Sequence, residues 1–285
     1  MIECAPLDPI PNVYLVFMRV LAFLSPCCSI IALYCIVRYP ANMHTSYRVQ
    51  LFTYQLSSLL FDFTFSTVAC PVIFFPMIMG YSAGLGKYIN GAVYPLFVLV
   101  VMWISCVDVA IFGMFFCHLQ SIIPPSHTLK IGTKGYTLLM SSLYVVFPGS
   151  ILLTGVFAYA KLARTKVFFK KQFTCASAVM GYVTDAFTYH SLFPIFIHLC
   201  VLTTVSFILS VIIAFQSFSA VKKLTNLSEK TRSLQRMFLV RLYMQGLVPT
   251  VLFTAPSAVI NLIVGSTILF FISYKQSKFS LMHKK

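Results

Sequence analysis

Six long apolar stretches, separated by more polar connections, run along the chain. They cover residues 13–37, 49–79, 89–117, 136–159, 192–215 and 237–274. Each exceeds or approaches the roughly 20 apolar residues that carry an α-helix across a bilayer. An open strand in lipid would leave its backbone N–H and C=O groups unpaired, so every stretch is predicted to be helical. Prolines at 26, 71, 76, 95, 148, 194, 249 and 256 fall inside or beside these stretches. Neighbouring helices and Ser/Thr side chains can satisfy the carbonyls that proline frees. There is no internal repeat, which argues against the two-fold architecture of many secondary transporters. The pattern predicts an all-α, polytopic transmembrane helix bundle forming a single domain over residues 1–285.

Composition strengthens this reading. Of 285 residues, 59% are hydrophobic and 9% are charged, against roughly 25% charged in a soluble domain. So few polar side chains cannot cover a water-facing surface, which excludes a soluble enzyme, a disordered chain and a secreted disulfide scaffold. The net charge of +15 belongs with the membrane and not with nucleic acid. Its basic residues lie between apolar runs, where they fix topology and meet anionic lipid. The lipid bilayer is therefore the first partner. The nine cysteines show no metal-ligand spacing, and Cys27-Cys28 are adjacent inside an apolar run, as small hydrophobes would be. The first residues, with Glu3, Asp8 and three prolines, lack the basic start of a cleavable signal, so the first span is expected to be an uncleaved anchor.

Orientation follows from Lys and Arg. The N-terminal tail has neither. Arg38 and Arg48 follow the first span, and only Lys87 follows the second. Lys130 and Lys134 follow the third, and Lys222, Lys223, Lys230, Arg232 and Arg236 the fifth. An external N-terminus places the first, third and fifth of these loops in the cytosol. Lys161, Arg164, Lys166, Lys170 and Lys171, in the connection between spans four and five, oppose that assignment. The basic cytoplasmic face would comprise Lys222, Lys223, Lys230, Arg232, Arg236 and Arg241, meeting anionic lipid or a protein. Asn226-Leu227-Ser228, the one N-x-S/T triplet, falls on that side and is expected to carry no glycan.

Ionisable side chains within the spans are functional candidates because they are costly in lipid. Arg19, Asp62 and Asp108 form a candidate polar node. In one reading Arg19 and Asp62 are a buried pair tying the first two helices, or part of a cation site. In the other Arg19 snorkels outward and Asp62 is a carboxyl hydrogen-bonded to serine. His198 reads as a satisfied core histidine. There is no HExxH, GxSxG or Walker pattern, so no catalytic residue, enzyme activity, metal or cofactor is expected. Cys4 and Cys175 are the two cysteines placed outside. They are candidates for a disulfide in an oxidising exterior, or remain two unlinked thiols.

Several segments together resemble a known family. The first is Tyr34-Cys35-Ile36-Val37-Arg38-Tyr39-Pro40 with Met43 and Tyr47-Arg48. Gln55 and Leu59-Leu60-Phe61-Asp62 follow, then Pro71, Phe74-Phe75-Pro76, Gly80-Tyr81 and Gly84-Leu85. Near the sixth span stand Leu227-Ser228-Glu229-Lys230-Thr231-Arg232-Ser233-Leu234-Gln235-Arg236, Gln245 and Pro249. In order and spacing these resemble the nematode serpentine chemoreceptors of class H, with class I next. The resemblance implies a seven-helix, G-protein-coupled-receptor-like fold and a chemosensory role. It also implies an unidentified small-molecule ligand, a heterotrimeric G protein as partner, and residence in the plasma membrane, in a sensory neuron's cilium. After the third span the sequence reads Phe115-Phe116-Cys117-His118-Leu119-Gln120-Ser121, with no arginine of the kind that engages G proteins in many seven-helix receptors.

The last stretch, 237–274, has 38 residues, fewer than the roughly 40 plus a turn that two spans need. It reads as the inner halves of helices six and seven joined into one long, proline-kinked helix, giving six spans. The alternative is two short helices with a turn near Asn261–Gly265, giving seven. Two other functional readings stand beside the receptor: a small transporter or channel, and a receptor relic that no longer signals.

Overall fold

The computed structural model describes residues 11–39, 45–74, 79–89, 91–123, 129–159 and 187–223, and single positions 233, 237, 240, 243 and 244. In chain order the elements are α1 Asn12–Arg38, α2 Thr45–Asp62, β1 Pro71–Phe74, β2 Met79–Ser82, α3 Val93–Ile122, α4 Thr133–Tyr159, β3 Phe187–Thr188 and α5 Tyr189–Lys223. Among the described residues α1, α3, α4 and the Phe193–Ala220 part of α5 are long and apolar enough to cross a membrane. α2 is more polar, and it buries Gln50 and Ser57 within the bundle.

The centre of the bundle is α3. It packs against α2, α4 and α5 and is buried at intervals from Val93 to Ile122. Near its start Val98, Val101 and Ile104 meet Ile151 of α4 and Ile195 and Leu199 of α5. Toward its other end Ile111, Met114 and Phe115 meet Ile213 and Ala214 of α5, with Tyr243 packed alongside. The buried face of α5 also carries Thr203, Ser206, Ser210 and Ser217. Small side chains let helix backbones approach closely where lipid supplies no hydrophobic drive. α1 differs: only Met18 and Ser29 are buried, and large side chains such as Phe23 and Ile31 face outward. A helix apolar on every side is suited to lipid.

Two polar fastenings order the turns at one end. Arg48, in the first turn of α2, donates from Nε to Ile36 O at 3.2 Å and from Nη2 to Val37 O at 2.8 Å. It thereby satisfies carbonyls that α1 leaves open at its C-terminus. Gln120, near the end of α3, donates to Leu129 O at 2.7 Å and accepts from Ile131 N at 2.9 Å, holding the start of α4 to α3.

The opposite end is closed by a three-stranded antiparallel sheet in the order β1-β2-β3. Pro71 lies opposite Ser82 and Phe74 opposite Met79, while Met79 lies opposite Thr188. The sheet thus ties the connection after α2 to the chain just before α5. This corrects the second predicted span, 49–79. Helix continues past Asp62 as a π-helical turn, Phe63–Ala69, and stops at Cys70, which takes a left-handed conformation with φ 35°. Pro71 has no N–H to donate and disfavours a right-handed helical residue before it. The β-branched Val72 and Ile73 then favour a strand. Run length alone read those residues as helix.

The other helix ends also move. α3 begins after a 3₁₀ turn at Leu85–Tyr88, not at residue 89. α5 extends over 35 residues, or about 52 Å at 1.5 Å per residue, which is longer than a hydrocarbon core of about 30 Å. Lys222 and Lys223, expected in the loop beyond it, are its last two residues. The 237–274 stretch with its one-or-two-helix question, Asn226, Lys230, Arg232, Arg236, Arg241, Cys4 and Cys175 lie outside the described residues, apart from the single positions given above.

Candidate functional site

At the sheet end a crevice of about 790 Å³ opens between the first half of α1, the π-helical turn and the chain from Tyr81 to Val93. Its architecture starts from the π-helical turn. Cys70 N donates to Phe65 O at 2.8 Å, the five-residue reach of a π helix. The carbonyls left open beyond it are taken by the returning hairpin. Ser82 Oγ donates to Ala69 O at 2.5 Å, and Ala83 N donates to Cys70 O at 3.0 Å. Gly84 follows at the closest approach: a β-carbon there would lie 2.5 Å from both Thr67 O and Val68 O. Only glycine fits against those two backbone oxygens. The chain then turns outward and carries Lys87 and Tyr88 to the crevice rim, the Lys87 ammonium 4.8 Å from the Tyr88 ring centre.

The α1 wall is fixed to the same hairpin. Tyr14 OH donates to Pro71 O at 2.7 Å, and Tyr14 and Leu15 pack on the buried Val72. Arg19 and Ala22 follow along this wall. Among the described residues that line it, Arg19 and Lys87 are the two charged ones, and none is Asp or Glu.

Asp62 does not meet Arg19 in an ion pair. Its Oδ2 accepts a hydrogen bond from Ser25 Oγ of α1. Ser25 lies six residues beyond Arg19, about 9 Å along the helix axis. The carboxylate is therefore met by a hydroxyl deeper in the bundle, while the guanidinium is left to the crevice. Asp108, the third member of the expected node, lies on α3 with Oδ2 buried and no hydrogen-bond partner among the described residues. His198 Nε2 lies 2.9 Å from Ser150 Oγ. That hydroxyl also reaches Phe147 O at 2.7 Å, and the His198–Ser150 contact joins α5 to α4.

A second polar cluster, not anticipated from the sequence, lies toward the other end. Gln50 is 3% exposed, and its Oε1 accepts from Tyr144 OH at 2.8 Å. Tyr136 OH donates to Gly113 O at 3.2 Å, and the Tyr136 ring stacks on Phe116 with centroids 5.9 Å apart. A β-carbon at Gly113 would lie 2.6 Å from Met140 Cε and 2.7 Å from the Gln50 amide. These residues lock α2, α3 and α4 together. The polar residues of α2, Gln50 among them, were the available signal for this cluster.

A family model for the serpentine type 7TM GPCR chemoreceptor Srh matches residues 9–281. The chain belongs to this family. The class H resemblance read from the segments around Arg38, Asp62 and Gly84 thus holds, and with it the all-helical, multi-pass membrane bundle. No curated protein and no solved structure matches the chain. In this Srh chain the last turns of α3, with His118-Leu119-Gln120, contribute Gln120 to the ordering of the α3–α4 connection. Arg19 and Asp62 stand on adjacent helices, each with different surroundings.

Proposed function

We propose that this chain is a chemosensory receptor of the plasma membrane that detects small molecules at its sheet end and signals through helix rearrangement to a heterotrimeric G protein at the other. Membership of the Srh chemoreceptors, over nearly the whole chain, is the observation that carries the reading. The two ends of the bundle are built differently, in a way that suits it. The sheet end has an open crevice of ligand size, within the roughly 300–1,000 Å³ range of small-molecule sites. The other end has helices fastened to one another through Gln50, Tyr136 and Tyr144. A ligand signals only by binding two arrangements of the bundle with different affinity.

Orientation supports the same sense. Arg38, Arg48, Lys130, Lys134, Lys222 and Lys223 all stand at or beyond the helix ends opposite the sheet, the side where the positive-inside rule puts the cytosol. The sheet and crevice are then extracellular. The test is nucleotide exchange on a purified heterotrimeric G protein by the full chain in nanodiscs. Small-molecule mixtures are expected to accelerate exchange. Ligand-independent solute flux through proteoliposomes, with no exchange, would favour a transporter or channel instead.

A further inference from the structure

Among the described residues the crevice is lined by two cations and no anion. Arg19 and Lys87 both line it. Asp62 and Asp108 are the only acidic side chains among the described residues, and neither reaches the lining. Asp62 is engaged by Ser25. Arg19 lies seven residues into α1, about 10 Å from its start, in a helix otherwise free of charge until Arg38. A guanidinium at that depth is costly unless a counter-charge or water meets it. Around the two cations the wall combines apolar Leu15, Ala22, Leu85 and Val93 with the hydroxyl-bearing Ser66 and Thr67. Two cations on a crevice wall that also presents apolar side chains match a molecule with one acidic group on an apolar body.

We infer that the crevice binds a small amphiphilic anion, its acidic group held by Arg19 and Lys87 and its apolar body lying against the α1 and Val93 walls. Arginine offers a planar pair of N–H donors that matches a carboxylate or phosphate. Lys87 adds a second charge from the rim. The inference deepens the receptor reading by giving the ligand its chemical class. Such an anion has two sources, a solute arriving from water or the headgroup of an anionic lipid.

The test uses the full chain in phosphatidylcholine nanodiscs with radiolabelled phenylacetate as probe. Phenylacetate is expected to bind saturably, and phenylacetamide, its neutral analogue, to compete about tenfold more weakly, the loss of one charge-assisted contact. Arg19→Gln and Lys87→Gln should each weaken phenylacetate by about tenfold, while Arg19→Lys, which keeps the charge, should retain most of the binding. In a second arm, phosphatidylglycerol replaces part of the phosphatidylcholine. If lipid is the source, it raises the melting temperature of the wild type but not of Arg19→Gln, and it displaces phenylacetate. If a solute is the source, phenylacetate binding persists in those discs. The inference is overturned if acid and amide bind alike, or if neither anion distinguishes the wild type from Arg19→Gln and Lys87→Gln. Because binding is read without a G protein, a chain that binds the anion but drives no nucleotide exchange keeps the site and loses the receptor. Exchange driven by neutral molecules alone keeps the receptor and loses the site.

Discussion

Asp62 and Arg19 pose the sharpest question at the scale of single residues. A buried pair would make the loss of one partner cost about 3–5 kcal/mol and the loss of both cost less. With Ser25 donating to Asp62 and Arg19 at the crevice, the two instead act separately. The costs of Asp62→Ala and Arg19→Leu should add to within about 0.5 kcal/mol, measured as melting temperatures of the detergent-solubilised chain. Rescue of Asp62→Ala by Arg19→Leu would contradict this. Ser25→Ala should itself destabilise by about 1 kcal/mol, since it leaves a half-buried carboxyl oxygen without its donor. The sequence made Asp62 conspicuous because a charge within an apolar span is rare. It could not show which hydroxyl on α1 stands at the same depth. That depends on how the two helices are offset, and Arg48's hold on the end of α1 is part of what sets the offset.

Elements were legible wherever hydrophobic run length and helix length coincide. α1, α3 and α4 lie close to their apolar stretches, because lipid leaves a continuous apolar run little choice but helix. The sheet was hidden by the same rule: residues 71–74 are as apolar as the helix before them. Pro71 and the paired Val72-Ile73 carried the signal to stop. The crevice depends on this sheet and on Gly84. Gly84→Ala would press a methyl group against two backbone oxygens that cannot move aside, and should cost about 1–3 kcal/mol. It should also expose the hairpin to limited proteolysis. Gly113→Ala makes an equally close approach, but to the ends of Gln50 and Met140, which are flexible side chains. Its cost should be smaller, and replacing Met140 by Ala in the same chain should recover part of it. Equal losses of melting temperature for Gly84→Ala and Gly113→Ala would contradict this ranking.

At the scale of the whole molecule, the chain belongs to the Srh chemoreceptor family, with a sheet at one end of its bundle and most of its described cationic side chains at the other. Composition and charge pointed to a polytopic bundle; the segments around Arg38, Asp62 and Gly84 pointed to the family. α5 runs from the sheet end to Lys223 at the opposite end, and Asn226 follows three residues later in the sequence. With the sheet outside, Asn226 is expected to carry no glycan. A glycosidase-sensitive mass shift in the expressed chain, abolished by Asn226→Gln, would reverse the topology and place the crevice on the wrong side for an external ligand. The central claim is that small molecules reaching the sheet end drive signalling. Its most direct measurement is the calcium response of cells expressing the full chain, co-expressed with a promiscuous G protein and exposed to a panel of small organic compounds. A saturable, dose-dependent response absent from untransfected cells is the predicted result. A chain that reaches the cell surface yet responds to no compound above the untransfected background would contradict it.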